Sequence, residues 1–143
     1  QAMFESGGRR IKRSLKVDIS CIAFADDALI ERLRSHDATR NLMEGIATES
    51  LEGVRLTNVD LYIRCLNRYI DCHPRVNHKM LAMVRQLQPT DCGLPIEMYF
   101  FTADVRWVMH EHLQTEMMSH IMALAPLFNI RIYQAPTTMD LRR

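Results

Sequence analysis

The sequence predicts one α+β domain in which two helices cover one face of a four-stranded antiparallel sheet. The chain has 143 residues, of which 48% are hydrophobic and 24% charged, a composition typical of a single globular domain. Two kinds of pattern lead to this prediction: short segments that alternate like strands, and long segments with the 3.6-residue period of helices. Turn-forming residues separate these segments.

Strand patterns occur in four places. Residues 11–24 alternate between polar and apolar positions, which predicts a half-buried strand that bulges or ends near residues 21 and 22. Residues 80–87 and 96–102 flank a loop rich in turn formers, which predicts an antiparallel hairpin. The second strand of this hairpin is apolar on both faces, so we expect it to be central and covered on both sides. Residues 130–134 alternate again and predict the last strand.

Helix signals define two long segments and one short segment. Thr57 and Asp60 predict the start of a helix that ends at His73, because Pro74 disfavours helical geometry in the residue before it. Asp104 is the expected N-cap of a second helix, from 105 to about 125. The predicted core stripe of that helix consists of Met109, Leu113, Met117, Ile121 and Leu124.

A short helix is expected after Asp26 and Asp27, and its apolar face consists of Leu29, Ile30 and Leu33. Residues 35–53 are mixed and predict a loop with at most one helical turn. The order of the main elements is therefore β, α, β, β, α, β, which is the ferredoxin-like arrangement. This fold class hosts many functions and identifies none.

Charge and hydropathy exclude some classes of partner. Eighteen Lys and Arg against seventeen Asp and Glu leave a formal net charge of +1, which disfavours a dedicated nucleic-acid binder. Tyr99, Phe100 and Phe101 lack the glycines of an RNA-binding strand motif. Five cations lie between Arg9 and Lys16, and such a run more often protects the edge of a strand than binds phosphate. No apolar run approaches the length of about 20 residues that a membrane-spanning helix needs.

The residues with the strongest potential for chemistry are His110, His112, Glu116 and His120 on the second long helix. The spacing of four between three of them is that of metal ligands on one helix face. In projection, however, His120 falls inside the apolar stripe and His110 on another side, which favours a partly buried polar seam. The sequence therefore predicts no metal site.

Catalysis has little support in the sequence. Cys72 and His73 are neighbours at a helix end, whereas a thiolate and its base usually come from separate elements. No glycine-rich phosphate loop is present. The four cysteines are not arranged in close pairs, so we expect reduced thiols and no structural zinc; they are Cys21, Cys65, Cys72 and Cys92. The sequence predicts neither an enzyme nor a cofactor.

A candidate subunit interface lies on the second long helix. Met118 and Met122 project away from Leu113, and Trp107 extends the same patch. Large apolar residues on the outer face of a helix imply a second contact surface. Scattered exposure of single apolar side chains is the alternative.

Five sequence blocks resemble a known family. They are residues 6–14 (Ser-Gly-Gly-Arg-Arg-Ile-Lys-Arg-Ser), 55–58 (Arg-Leu-Thr-Asn), 84–90 (Val-Arg-Gln-Leu-Gln-Pro-Thr), 93–97 (Gly-Leu-Pro-Ile-Glu) and 106–107 (Arg-Trp). In this order they resemble the C-terminal cytoplasmic region of bacterial small-conductance-type mechanosensitive ion channels, and most closely the miniconductance branch. The resemblance covers nearly the whole chain and is weakest over residues 26–54.

The resemblance implies an inner-membrane parent channel that opens under membrane tension on hypoosmotic shock and releases ions and small solutes. It assigns residues 1–16 to the end of a preceding β domain and its junction, 17–136 to the cytoplasmic α/β domain, and 137–143 to a tail. In the family this region forms a cytoplasmic cage with side portals, typically as a homo-heptamer. The tension-sensing and pore-lining helices would precede this sequence, which starts with Gln1 and is expected to be an excised piece.

The resemblance also places a basic patch near the junction of the two domains, formed by Arg9, Arg10, Lys12 and Arg13. These residues either face ions in the vestibule or brace the junction, and the sequence does not choose between the two. The alternative function is a stand-alone ferredoxin-like regulatory or ligand-binding module, and an enzyme or metal protein built on the histidine-rich helix is a third.

Overall fold

A computed structural model describes residues 8–104 and 106–134. Its elements are β1 (Arg10–Val17), α1 (Asp27–Ser35), α2 (Asn58–Asp71), β2 (Met83–Gln86), β3 (Leu94–Phe101) and α3 (Trp107–Leu124). Two 3-10 turns, Ile19–Cys21 and Ala125–Phe128, follow β1 and α3. The predicted start of the last helix at 105, the first two residues of the block at 6–14, and the predicted tail at 137–143 lie outside the described residues.

The sheet has three antiparallel strands in the order β1-β3-β2. β2 pairs with β3, for example Met83 with Tyr99, so the predicted hairpin is confirmed, as is the central position of its second strand. β1 pairs with β3 from Arg10, opposite Phe101, to Val17, opposite Leu94. This strand therefore runs through the domain boundary predicted between residues 16 and 17.

The prediction of a four-stranded sheet with two helices on one face is wrong. Among the described residues, the segment predicted as the last strand forms only one bridge, between Val17 and Ile132. β1 is also shorter than predicted: Asp18 accepts a hydrogen bond from Ser20 N and caps a 3-10 turn, so the strand predicted to reach residue 24 ends at Val17. The antiparallel bridge to Ile132 therefore lies at the end of β1, where residues 130 and 131 face the turn and not the strand.

The other part of this correction concerns the helices, of which the described residues contain three. α1 begins at Asp26, whose side chain accepts from Leu29 N at 2.8 Å, as predicted. Its apolar face is buried in the main core, and Leu33 is fully buried. α1 is therefore a third helix that packs on the core of the domain.

Local capping explains where the other two helices begin. Thr57 and Asp60 form a complete capping box at the start of α2, which confirms the prediction. The N-cap of α3 is Arg106, and Asp104 is not. The Asp104 carboxylate instead accepts hydrogen bonds from Arg106 N at 2.8 Å and from its guanidinium at 2.6 Å. These hydrogen bonds lower the pKa of Asp104 to about 2.

The helices cover one face of the sheet, and the opposite face becomes partly exposed toward the end of β3, beyond the buried Pro95 and Glu97. On the covered face, Ile96, Met98 and Phe100 are fully buried. On the opposite face Tyr99 and Phe101 are only half-buried and contact each other edge to face at 5.8 Å, so the expected cover on both sides is not complete.

The two edges of the sheet differ. The edge of β2 is closed by α2, because the Asn67 side chain accepts from Val84 N at 3.0 Å and donates to Val84 O at 3.4 Å. Within residues 8–104 and 106–134, the edge of β1 is paired only near Val17, where Tyr133 N donates to Lys16 O at 2.7 Å. The basic residues of β1 therefore lie along the open edge of the sheet.

Candidate subunit interface

The outer surface of α3 is the strongest candidate for a contact with another molecule. Helices that are apolar on most sides are usually covered on most sides. In α3 the exposed fraction is 61% for Trp107, 60% for Val108 and 42% for Met122. Its buried residues are His110, Leu113, Met117, Met118, Ile121 and Leu124. Two large apolar side chains thus meet solvent side by side in the first turn.

The structure brings together only part of the predicted interface. Met118 is 7% exposed and belongs to the core, so the expectation that it lies on an outer face is wrong. Trp107 and Met122 are exposed, but they are 15 residues apart, about 22 Å along the helix axis. The exposed neighbour of Trp107 is Val108, which the sequence analysis missed.

The reason for this difference is the position of the buried arc. The predicted stripe was centred on Leu113 and Met117, but the buried arc extends toward His110 and Met118. Accordingly His110, expected on another side, is buried, and His120, expected in the stripe, is exposed. The pattern of α3 is too uniformly apolar for periodicity to fix its rotation.

An open groove of about 820 Å³ runs beside the exposed end of α3. Trp107, Val108 and Met109 line it from the helix, and Arg75 lines it from the segment that follows α2. Glu111 and Glu116 also contribute to its wall. The groove combines apolar side chains with charges of both signs, as interface cores with a polar rim do.

The predicted basic patch is continuous with this surface. The Arg9 guanidinium lies over the Trp107 ring, 5.1 Å from its centroid, and Thr102 N donates to Arg9 O at 2.8 Å. Arg10 and Lys12 follow on β1, on the open face of the sheet, opposite Phe101 and Tyr99. Arg13 is exposed on the other face, where an inward-pointing cation blunts an edge strand.

The side chains of the histidine-rich part of α3 do not come together at one site. His112, Glu116 and His120 are exposed, and the His120 ring stacks on Tyr69 at 4.7 Å. Within the part of the chain that the structure describes, no group of three or more His, Cys, Asp or Glu side chains is placed to hold a metal ion.

The cysteines lack the surroundings of a nucleophile. The Cys65 thiol is buried, and burial raises its pKa to about 12, which keeps it protonated. Cys72 is exposed at the C-cap of α2. The Nδ1 of its neighbour His73 accepts from Arg75 N at 3.1 Å, so that nitrogen is already occupied by backbone.

His110 predicts a pH dependence of stability. Its ring is buried, with Nδ1 3.4 Å from Thr102 Oγ1, and burial lowers its pKa below the ordinary 6.5. Arg9 lowers it further, and Glu111 opposes this shift. Because the unfolded chain then binds a proton first as the pH falls, the free energy of unfolding decreases below about pH 6.5.

We expect His110→Gln to reduce this loss of stability in acid. The measurement is the urea midpoint of unfolding at about pH 7.5 and pH 5.5 for both chains. The exposed His112→Gln serves as the control and should keep the dependence of the native chain. Part of the dependence should survive in His110→Gln, because burial also lowers the pKa of His73. An unchanged dependence in His110→Gln would contradict the assignment.

Two further findings bear on function. Within residues 8–104 and 106–134, no helix combines the length and the hydropathy that crossing a bilayer requires. No model of a known protein family matches the chain.

Proposed function

We propose that this chain is the cytoplasmic assembly domain of a tension-gated ion channel of the small-conductance type. In this role it performs no chemistry. It holds subunits together beneath the membrane and frames the space through which ions reach the pore. The channel is a homo-oligomer in the inner membrane that releases ions and small solutes on hypoosmotic shock.

The observation that carries the proposal is the exposed end of α3. Trp107 and Val108 are each about three-fifths exposed beside an open groove, and their exposure is unfavourable in an isolated molecule. Trp is also the residue type most enriched among interface hot spots. A function that consists of assembly accounts for this surface, whereas a stand-alone fold does not need it.

The positions of the five resembling sequence blocks support the same role. Side chains of the block at 55–58 hold the backbone of other segments: Arg55 donates to Ala25 O at 2.8 Å, and Asn58 bonds to two separate segments, at residues 21–23 and at Phe128. Glu97, 6% exposed, accepts from Arg85 at 3.0 Å. These side chains stabilise the fold by connecting its segments, and this role agrees with a structural domain.

The assembly part of the proposal is tested with Trp107→Ala. We expect this variant to lose self-association, measured as molar mass by light scattering over a range of concentrations. Its stability should change by no more than about 1 kcal/mol, because the ring is exposed and loses only the contact with Arg9. Phe24→Ala removes an aromatic ring that is 69% exposed elsewhere and should associate like the native chain. A native chain that stays monomeric at every concentration would contradict this part.

The channel part is tested with the complete gene. We expect the reading frame to encode several apolar helices upstream of this segment. We also expect the complete protein to rescue cells that lack their own tension-gated channels from hypoosmotic shock. A gene product that has no apolar helix, or that fails to rescue although it is present in the membrane, would overturn the channel assignment.

A further inference from the structure

We propose that the hairpin at residues 48–55 of one copy of this chain docks on the surface formed by the basic β1 strand and Trp107 of the next copy. This inference rests on the proposed assembly function and names its partner surface. The contact is heterologous, since two different surfaces meet, and a heterologous contact generates a ring when its rotation closes.

The hairpin is built to protrude. Glu49 and Arg55 form a backbone β-bridge, and Ser50 N donates to Val54 O at 2.7 Å. Gly53 takes a positive φ of 84° at the turn. Leu51 at its tip is 103% exposed, which makes it the most exposed large hydrophobic side chain of the described residues. Val54 is 53% exposed. A leucine held at the tip of a hydrogen-bonded turn, and left uncovered by the described residues, is suited to contact an apolar surface on another molecule.

Charge complementarity identifies the surface it contacts. Glu49 and Glu52 flank the tip, and neither makes an ion pair or side-chain hydrogen bond with another described residue. The same holds for the side chains of Arg10, Lys12, Arg13 and Lys16 on β1. The remaining exposed strand cation, Arg85, is already paired with Glu97. The two carboxylates of the hairpin, and Arg10, Lys12 and Lys16 on one face of β1, thus have no ion-pair partner among the described residues and can neutralise each other between copies.

Trp107 completes the match. It is joined to the basic strand by the contact with Arg9, so apolar and cationic groups form one continuous surface. Leu51 would pack on Trp107 and Val108, and Glu49 and Glu52 would lie toward Arg10 and Lys12. Glu111 and Glu116, which follow Trp107 on α3, also line the groove and repel the acidic hairpin, which favours an orientation toward the basic strand.

The placement of the two surfaces allows a head-to-tail contact. The hairpin precedes the N-cap of α2, and Arg55 at its base bonds to Ala25 O and to Asp27 at the start of α1, so it lies beside the N-terminal ends of these two helices. Arg10 and Lys12 lie on the face of the sheet that the helices leave open. A copy can consequently present its hairpin to one neighbour and its strand to another.

The test is a charge exchange in the full 143-residue chain. One variant carries Glu49→Lys and Glu52→Lys, and the other carries Arg10→Glu and Lys12→Glu. In each variant by itself, like charges face each other across the proposed contact. We therefore expect self-association to weaken at least about tenfold, as measured by sedimentation velocity. A single chain with all four substitutions restores opposite charges at every contact and should associate like the native chain. In an equimolar mixture of the two variants, only contacts between unlike chains carry opposite charges, so a ring of odd number keeps at least one like-charge contact. The mixture should therefore associate more tightly than either variant alone, and the native association should weaken with added salt.

Two controls separate this contact from general charge effects. Glu31→Lys with Glu44→Lys gives the same net charge as the hairpin variant at exposed positions outside the proposed contact and should associate normally. Leu51→Ser should weaken association without changing the unfolding midpoint, because the side chain is fully exposed. A carbodiimide cross-link between Glu52 and Lys12, in a mixture of isotope-labelled and unlabelled chains, should join one chain to another.

The possible outcomes distinguish this inference from the proposed function. If the charge variants associate like the native chain, or if the chain with all four substitutions fails to restore association, the inference is wrong; the assembly function still stands if Trp107→Ala abolishes association. If Arg10 and Lys12 instead bind vesicles of anionic lipid and no cross-link joins two chains, the basic strand serves a membrane surface and the inference is overturned.

Discussion

Replacing Asn58 by alanine is expected to lower the free energy of unfolding by about 3 to 5 kcal/mol, the largest effect we predict for a single side chain. Asn58 is 2% exposed. Its Oδ1 accepts from Ala23 N at 3.1 Å, and its Nδ2 donates to Cys21 O at 3.0 Å and Phe128 O at 3.1 Å. One amide therefore joins the end of the first 3-10 turn, the start of α2 and the turn after α3.

The expected loss follows from the groups that stay behind. Alanine leaves several largely buried backbone groups without their partner, and each unsatisfied group costs about 1–3 kcal/mol. Urea unfolding followed by circular dichroism measures the change. Asn41→Ala removes an exposed amide without a side-chain hydrogen bond and should change stability by less than about 0.5 kcal/mol. Asn58→Asp replaces the donor by a buried carboxylate oxygen that faces the carbonyls of Cys21 and Phe128, so it should cost at least as much as alanine. An Asn58→Ala chain as stable as the control would show that these hydrogen bonds contribute little.

Replacing Gly93 by alanine is expected to destabilise the chain by about 3 kcal/mol or more. Gly93 has a φ of 108°, and a Cβ placed on it would lie 2.6 Å from Val17 O. That oxygen belongs to the backbone of β1 and cannot move without shifting the end of the strand. The substitution therefore strains the turn and displaces the last residues of the β1–β3 pairing at once.

Gly53 offers a matched control because it shares the positive φ but not the contact. Its φ is 84°, and no atom lies within 4 Å of a Cβ placed there. Gly53→Ala should cost only the backbone strain, about 1–2 kcal/mol. The difference between the two unfolding free energies isolates the clash with Val17. Equal losses of unfolding free energy in Gly93→Ala and Gly53→Ala would mean that the end of β1 can shift to relieve the clash at little cost.

The parts of the fold that depend on near neighbours in the sequence were predictable. The capping box of Thr57 and Asp60 and the cap at Asp26 need only residues three positions away, and both are present. The hairpin of β2 and β3 depends on one loop between two apolar segments. The N-cap predicted at Asp104 was wrong, because its carboxylate accepts hydrogen bonds from Arg106, which is itself the N-cap of α3.

The candidate site was predictable only in part. Trp107 and Met122 are exposed as expected, because large apolar residues outside the expected stripe of an amphipathic helix can be recognised from spacing. Met118 was not predictable, because its burial depends on which chain segments pack beside α3. The hairpin with Leu51 was also missed, although the pattern Glu-Ser-Leu-Glu-Gly places a lone leucine among turn-forming and charged residues.

What the sequence by itself determined is local: the helix starts of α1 and α2, the hairpin, and the character of the basic strand. The number of strands was decided by the tertiary structure: the turn capped by Asp18 ends β1 at Val17, and the segment at 130–134 meets the strand at that end through one bridge to Ile132. The rotation of α3, and hence the side chains it leaves exposed, was decided in the same way. Residues far apart in sequence compete for the same edge or face, and the outcome depends on their combined packing rather than on any one pattern.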